Sequence, residues 1–296
     1  MVTAMTKHGG VAVASRGSLP AGGGQVPVRH GVVTFRDGLM LPYAEVGDPA
    51  GRPVVLLHGY TDSWRSFEPV LPHFPASLRV VAPTQRGHGE AGRPAGGYRL
   101  RDFASDLAAF MDALGIGAAV IVGHSMGSAV AQRFALDHPG RVAGLVLAGS
   151  FATARGNPGV EGLWRDAAAG LSDPVDAGFA RAFQAATLAR PVPADFLDMV
   201  VGESLKVPAQ VWRAALAGLL EADHAVELGQ IDRPTLVVWG DRDEFFPRSD
   251  QDALLGAIPN AQLLVYEGAG HGLHWEQPER FARNVAAFAE AITARL

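Results

Sequence analysis

Short unbroken apolar runs recur along this chain: Val54-Val-Leu-Leu57, Val80-Val-Ala82, Ala119-Val-Ile-Val122, Leu145-Val-Leu-Ala148, Leu236-Val-Val-Trp239 and Leu263-Leu-Val265. Each is too short for a buried helix and ends at Gly, Pro or a polar residue, so each reads as a strand covered on both faces. The strands are predicted at 53–58, 79–83, 119–123, 142–148, 234–239 and 262–267. Between them the apolar positions change to helical spacing, near 65–73, 99–114, 127–138, 249–257 and 277–294. Alternating strand and helix predicts an α/β fold: a mostly parallel sheet with helices on both faces. Residues 31–47 read as a hairpin turning at Asp37-Gly38. One stretch breaks the alternation. Residues 151–229 offer no strand but four Ala-rich helical segments, 162–169, 175–189, 194–204 and 208–220, and so predict an all-helical insertion. Residues 1–30, rich in Gly, Ala and Ser, show no sustained period and predict a flexible extension. The core is then 31–150 joined to 230–296.

Composition narrows the classes. A chain of 296 residues with 48% hydrophobic content can bury a large core as one domain. No apolar run is long enough to span a bilayer, and no signal-peptide core follows Lys7, so no membrane association and a cytoplasmic location are expected. With no cysteine, disulfides, thiolate metal sites and cysteine nucleophiles are excluded. A net charge of −5 argues against a nucleic-acid partner. Oligomeric state leaves no sequence signal.

The candidate chemistry lies at strand ends. Gly123-His124-Ser125-Met126-Gly127 follows one strand and opens a helix, the setting in which G-x-S-x-G forms a nucleophile elbow. Taken alone, Ser125 is a turn residue and His271 a loop histidine. Serine holds its proton tightly at neutral pH, so it needs a base beside it and a carboxylate behind that base. Gly240-Asp241-Arg242-Asp243-Glu244 follows the 234–239 strand, and Gly268-Ala-Gly270-His271 follows the last one. Nucleophile, acid and base thus occur in the order Ser, Asp, His, all beyond C-terminal strand ends, where parallel sheets gather their sites. Asp241, Asp243 and Glu244 compete as the acid. His274, three residues after His271, is a weak metal-ligand candidate without a third partner; no metal is expected.

These motifs, with His58-Gly59-Tyr60 and Gln85-Arg86-Gly87-His88-Gly89, resemble the α/β-hydrolase superfamily, in its small lid-bearing branch of esterases, lactonases, C–C hydrolases and cofactor-free haloperoxidase-like enzymes. The resemblance covers roughly residues 31–294. It implies a Ser125–His271–Asp243 triad, choosing Asp243 because the family's acid sits three residues after the glycine. It also implies an oxyanion hole from the backbone N–H groups of Tyr60 and Met126, a lid over 151–229, and no cofactor. Arg86 reads as structural. Relatives often carry Asp and Ser where this chain has Thr84 and Ala91, which implies altered loop anchoring. An elbow serine excludes the dehalogenases and epoxide hydrolases of the fold, which use aspartate there. The expected reaction is hydrolysis of a medium-sized, largely apolar ester or lactone through an acyl-enzyme, with Phe151, Trp164, Phe246 and Leu273 as pocket walls. The alternatives are a C–C hydrolase acting on a vinylogous diketone, with perhydrolysis as a side activity, and a receptor that keeps the triad without cycling. Turnover separates enzyme from receptor.

Overall fold

The apolar runs fold as strands because consecutive residues bury on opposite faces of one sheet. Val55, Leu57 and Val81 enter the core on one side, and Val54, Leu56 and Val80 enter the core on the other. A computed structural model describes residues 4–8, 11–16, 27–222 and 224–293. Ten strands form the sheet: β1 (Ala4–His8), β2 (Val11–Arg16), β3 (Arg29–Thr34), β4 (Met40–Gly47), β5 (Arg52–Leu57), β6 (Leu78–Pro83), β7 (Ala119–His124), β8 (Val142–Ala148), β9 (Thr235–Gly240) and β10 (Ala261–Tyr266). Their spatial order is β1-β2-β3-β4-β6-β5-β7-β8-β9-β10. Pairing is antiparallel from β1 through the β4–β6 ladder and parallel from there on.

The chain leaves β5 for β6 on one side and later returns to β7 on β5's other side. The loops after β5 and β7 therefore diverge, which opens a crevice at their carboxyl ends. In parallel sheets such a switch point is where ligands bind. Helices α1 (Leu100–Ala113), α2 (Met126–Asp137), α7 (Arg248–Ala257), α8 (Leu273–Glu276) and α9 (Pro278–Thr293) accompany the sheet. Between β8 and β9 lie only helices: α3 (Pro158–Asp166), α4 (Ala177–Ala185), α5 (Ala194–Leu205) and α6 (Ala209–Glu221), with two short 3₁₀ turns. No helix among the described residues is long and apolar enough to cross a membrane.

Two expectations need correction. The N-terminal segment holds two strands, and the flexible reading fails for them. Val13 pairs with Val33 of β3 and packs against the core, so a short alternating segment is stabilised by an existing sheet edge. The rest of 1–26 lies outside the described residues. The helix expected near 65–73 is instead two 3₁₀ turns, Trp64–Phe67 and Leu71–His73. Pro72 has no N–H to continue a helical ladder, and Ser63 caps the first turn, its Oγ accepting from Arg65 N at 3.1 Å.

Candidate active site

β7 delivers Ser125 to the switch point with φ 53° and ψ −120°. A non-glycine residue there carries roughly 1–3 kcal/mol of strain, which persists only when neighbours enforce it. Here Ser125 N donates to Ala148 O at 2.9 Å, and Ser125 O accepts from Ser128 N at 2.8 Å and Ser128 Oγ at 2.6 Å. The two motif glycines serve close approach. A Cβ on Gly123 would stand 2.2 Å from Gly127 O, and one on Gly127 would stand 2.3 Å from Leu57 O. The N-terminus of α2 therefore sits directly on the end of β5. Met126, its first residue, is brought beside the loop His58–Tyr60, with first-turn N–H groups that have no acceptor within the helix.

Asp243 and His271 meet across the ends of β9 and β10. Asp243 Oδ2 lies 2.8 Å from His271 Nδ1, while Asp243 Oδ1 accepts from Phe245 N at 2.9 Å and Phe246 N at 3.1 Å. An ionised carboxylate only accepts, so Nδ1 carries the proton and Nε2 is left as an acceptor. Asp241 is engaged elsewhere, its Oδ1 taking the Gly268 N–H at 2.5 Å. Gly149, next after Ala148, lies against the His271 ring, where a Cβ would be 2.9 Å from Nδ1. Ser125 and His271 thus bracket the same end of β8.

Histidines fill the space behind. His124 Nε2 donates to His271 O at 3.0 Å, and its ring centroid is 4.3 Å from that of His274. His58 Nε2 accepts from Gln85 N at 2.9 Å, which leaves Nδ1–H to donate to Gly59 O at 2.9 Å. Burial holds these rings neutral. It lowers His88 to about 4 and His274 to about 3, and pushes His58 and His124 well down. His274 packs among Phe67, His124, Trp275 and Phe281 as an aromatic ring. Arg86 makes a bidentate pair with Asp106 at 2.6 and 2.5 Å, and Thr84 Oγ1 accepts from Trp64 N at 3.2 Å.

Of the expected pocket walls, Phe151 stacks on Phe246 at 4.1 Å, and Phe246 lies 5.6 Å from the His271 ring. Trp164, half-buried on α3, packs against the same core. Leu273 is a correction. It is fully buried with Phe67, Phe281 and Val285 in the core on the sheet's other face, because the chain turns down into α8 directly after His271. Two further rings lie close to the expected walls. Phe245 lies 5.2 Å from His271, and Phe183 of α4 bridges Phe245 at 6.3 Å and Tyr60 at 5.8 Å. Neither distance has a local sequence signal, although the Phe245-Phe246 pair just after Asp243 was a hint. The Tyr60 hydroxyl is occupied, donating to Trp212 O of α6 at 2.6 Å.

The comparisons agree with this architecture. Residues 52–278 match the family described as alpha/beta hydrolase fold. The chain is 29% identical over 281 residues to a non-heme chloroperoxidase of Streptomyces lividans, spanning 88% of this chain and all of that protein. It is 33% identical over 265 residues to 2-hydroxymuconate semialdehyde hydrolase of Pseudomonas sp. (strain CF600), spanning 83% and 90% of the two chains. Among solved structures, an esterase from Rhodococcus sp. ECU1013 superposes with a TM-score of 0.77 at 30% identity, over 90% of this chain and 99% of that one. With a parallel sheet switching direction at β5, a strained serine beyond β7 and a match spanning most of the sequence, this chain belongs to the alpha/beta hydrolase family.

Proposed function

We propose that this protein is a serine hydrolase that cleaves a medium-sized, largely apolar carboxylic ester or lactone. The observation carrying this reading is the Asp243–His271 pair at 2.8 Å, set at the same strand end as strained Ser125. In this reading His271 Nε2 takes the Ser125 proton as Oγ attacks the carbonyl carbon. Asp243 stabilises the imidazolium, and His271 then returns the proton to the departing alkoxide. Water repeats the sequence on the acyl-enzyme. Negative charge on the former carbonyl oxygen falls to the N–H groups of Tyr60 and Met126, and losing one such donor typically costs about 3–4 kcal/mol.

The rings support an apolar substrate. Phe245 and Phe183 run from the His271 ring to the Tyr60 ring, so in this reading they flank the acyl group between the base and an oxyanion donor. Each buried methylene adds about 0.8 kcal/mol to binding until the space is filled. The test is kcat/KM over p-nitrophenyl esters from acetate to decanoate, with lactones in parallel. A maximum at intermediate length supports the proposal. A flat profile, or preference for a charged acyl group, overturns the substrate class.

A second reading, C–C hydrolysis of a vinylogous diketone, draws on the 33% identity to 2-hydroxymuconate semialdehyde hydrolase. It predicts turnover of such a diketone well above that of any simple ester.

A further inference from the structure

A second carboxyl lies beside the proposed site, and the chemistry above leaves it unused. Asp62 is buried at 3% exposure in the loop that follows Tyr60. Its Oδ1 accepts from Gln184 Nε2 of α4 at 3.0 Å. A Cβ built on Gly59 would stand 3.1 Å from Asp62 Oδ2 and 2.9 Å from His124 Nδ1, so the carboxyl rests against the backbone leading into Tyr60. Between Tyr60 and Asp62, Thr61 has φ 66°, a left-handed conformation that a β-branched residue rarely adopts. The Gln184 amide also reaches Ser204 Oγ of α5 at 2.8 Å and Thr61 Oγ1 at 3.4 Å, and those two hydroxyls are 3.2 Å apart. The only non-glycine positive-φ residues among those described are Ser125 and Thr61, and both adjoin the expected oxyanion donors.

We propose that Asp62 and Gln184 are positioning residues: from the helical insertion, Gln184 clamps the Asp62 carboxyl and the strained Thr61, and so sets the Tyr60 N–H toward the oxyanion. The inference rests on the serine-hydrolase reading. Strain at Thr61 needs an enforcing partner, and this polar clamp supplies one from a different part of the chain. Several charged or titratable groups surround Asp62. His271 comes from the loop after β10, and His124 from β7. Glu203 comes from α5 and is itself paired with Lys206 at 2.8 Å and Arg65 at 4.0 Å. Burial pushes the Asp62 carboxyl up to about 7, against the Gln184 hydrogen bond that lowers it. Gln184 donates to either protonation state, so the clamp holds across that titration. A carboxylate in place of Gln184 would not.

The test uses full-length variants and p-nitrophenyl acetate, whose short acyl group limits contact with the insertion. Gln184→Ala is expected to lower kcat roughly 10- to 100-fold, the scale of an ångström-sized misplacement, with KM within about threefold of wild type. Gln184→Glu places acid against acid: its activity should approach wild type below about pH 6, where the pair shares a proton, and fall more than about tenfold above pH 8. Unchanged kcat in folded Gln184→Ala, a loss confined to KM, or a Gln184→Glu profile parallel to wild type overturns the proposal. If Gln184→Ala does not fold, the Gln184→Glu profile decides alone. Wild type without turnover or probe labelling at Ser125 sinks the serine-hydrolase reading, whereas active wild type with unaltered variants sinks this inference only.

Discussion

The His124 side chain holds the backbone of His271: Nε2–H donates to the His271 carbonyl at 3.0 Å, and the two ring centroids are 4.9 Å apart. The variable residue before Ser125 thus anchors the loop carrying the proposed base. Replacing His124 with Ala leaves a buried carbonyl without its donor, a loss of about 1–3 kcal/mol. Urea unfolding should show that loss, and kcat should drop roughly tenfold because the imidazole is less well placed. Full activity with the expected loss of stability would separate the anchor from catalysis.

Ser125→Ala is expected to abolish labelling by a fluorophosphonate probe and remove nearly all turnover. Triad members act as a unit, so what remains is the contribution of the oxyanion site and binding. Persistent labelling of the variant, read by peptide mass, contradicts the nucleophile.

The two aspartates on the loop after β9 should behave differently. Asp243→Asn replaces the acceptor that faces His271 Nδ1 and should cut kcat by several powers of ten in a folded protein. Asp241→Asn loosens only the Gly268 contact and should leave kcat within a fewfold. The reverse pattern would mean that the wrong carboxylate has been assigned.

Stability should fall with acid, through the buried histidines. An unfolded histidine takes up a proton near pH 6.5, but burial holds His274 at about 3. Between those values the unfolded chain binds the extra proton. Stability that is full above pH 6.5 is therefore lost as pH drops, by at most about 1.4 kcal/mol per pH unit. His274 packs against four rings and makes no hydrogen bond through either ring nitrogen, so His274→Phe should flatten the decline of Tm between pH 6.5 and 4. Parallel curves for variant and wild type would exclude His274 as a source.

The strands from β5 to β9 were legible because Val54 to Leu57 and their counterparts are buried on both faces, whereas β10, an edge strand, is mostly half-buried and was legible from its apolar run alone. The hairpin was legible from Asp37-Gly38, where Gly38 takes φ 86°. β2 was not, because Val13 gains its stability from pairing with Val33, which no local window contains. The order of Ser125, Asp243 and His271 was legible because each follows a recognisable strand. Leu273 was misread because nearness to His271 in sequence does not fix the face on which a side chain lands. Asp62, His124 and Gln184 went unread for a related reason. The first and last join residues 122 positions apart, and polar residues that are buried only by tertiary contact look like any surface loop.

Tyr60 belongs mechanically to two parts of the fold. Its backbone continues the loop leaving β5, while its hydroxyl is tied to Trp212 O of α6. Displacing α6 would therefore either snap a buried 2.6 Å bond or drag Tyr60 along with it. On the serine-hydrolase reading, the second course would carry a proposed oxyanion donor away with the insertion. Only the first course would leave the Tyr60 backbone in place, at the cost of its hydroxyl's bond to Trp212 O.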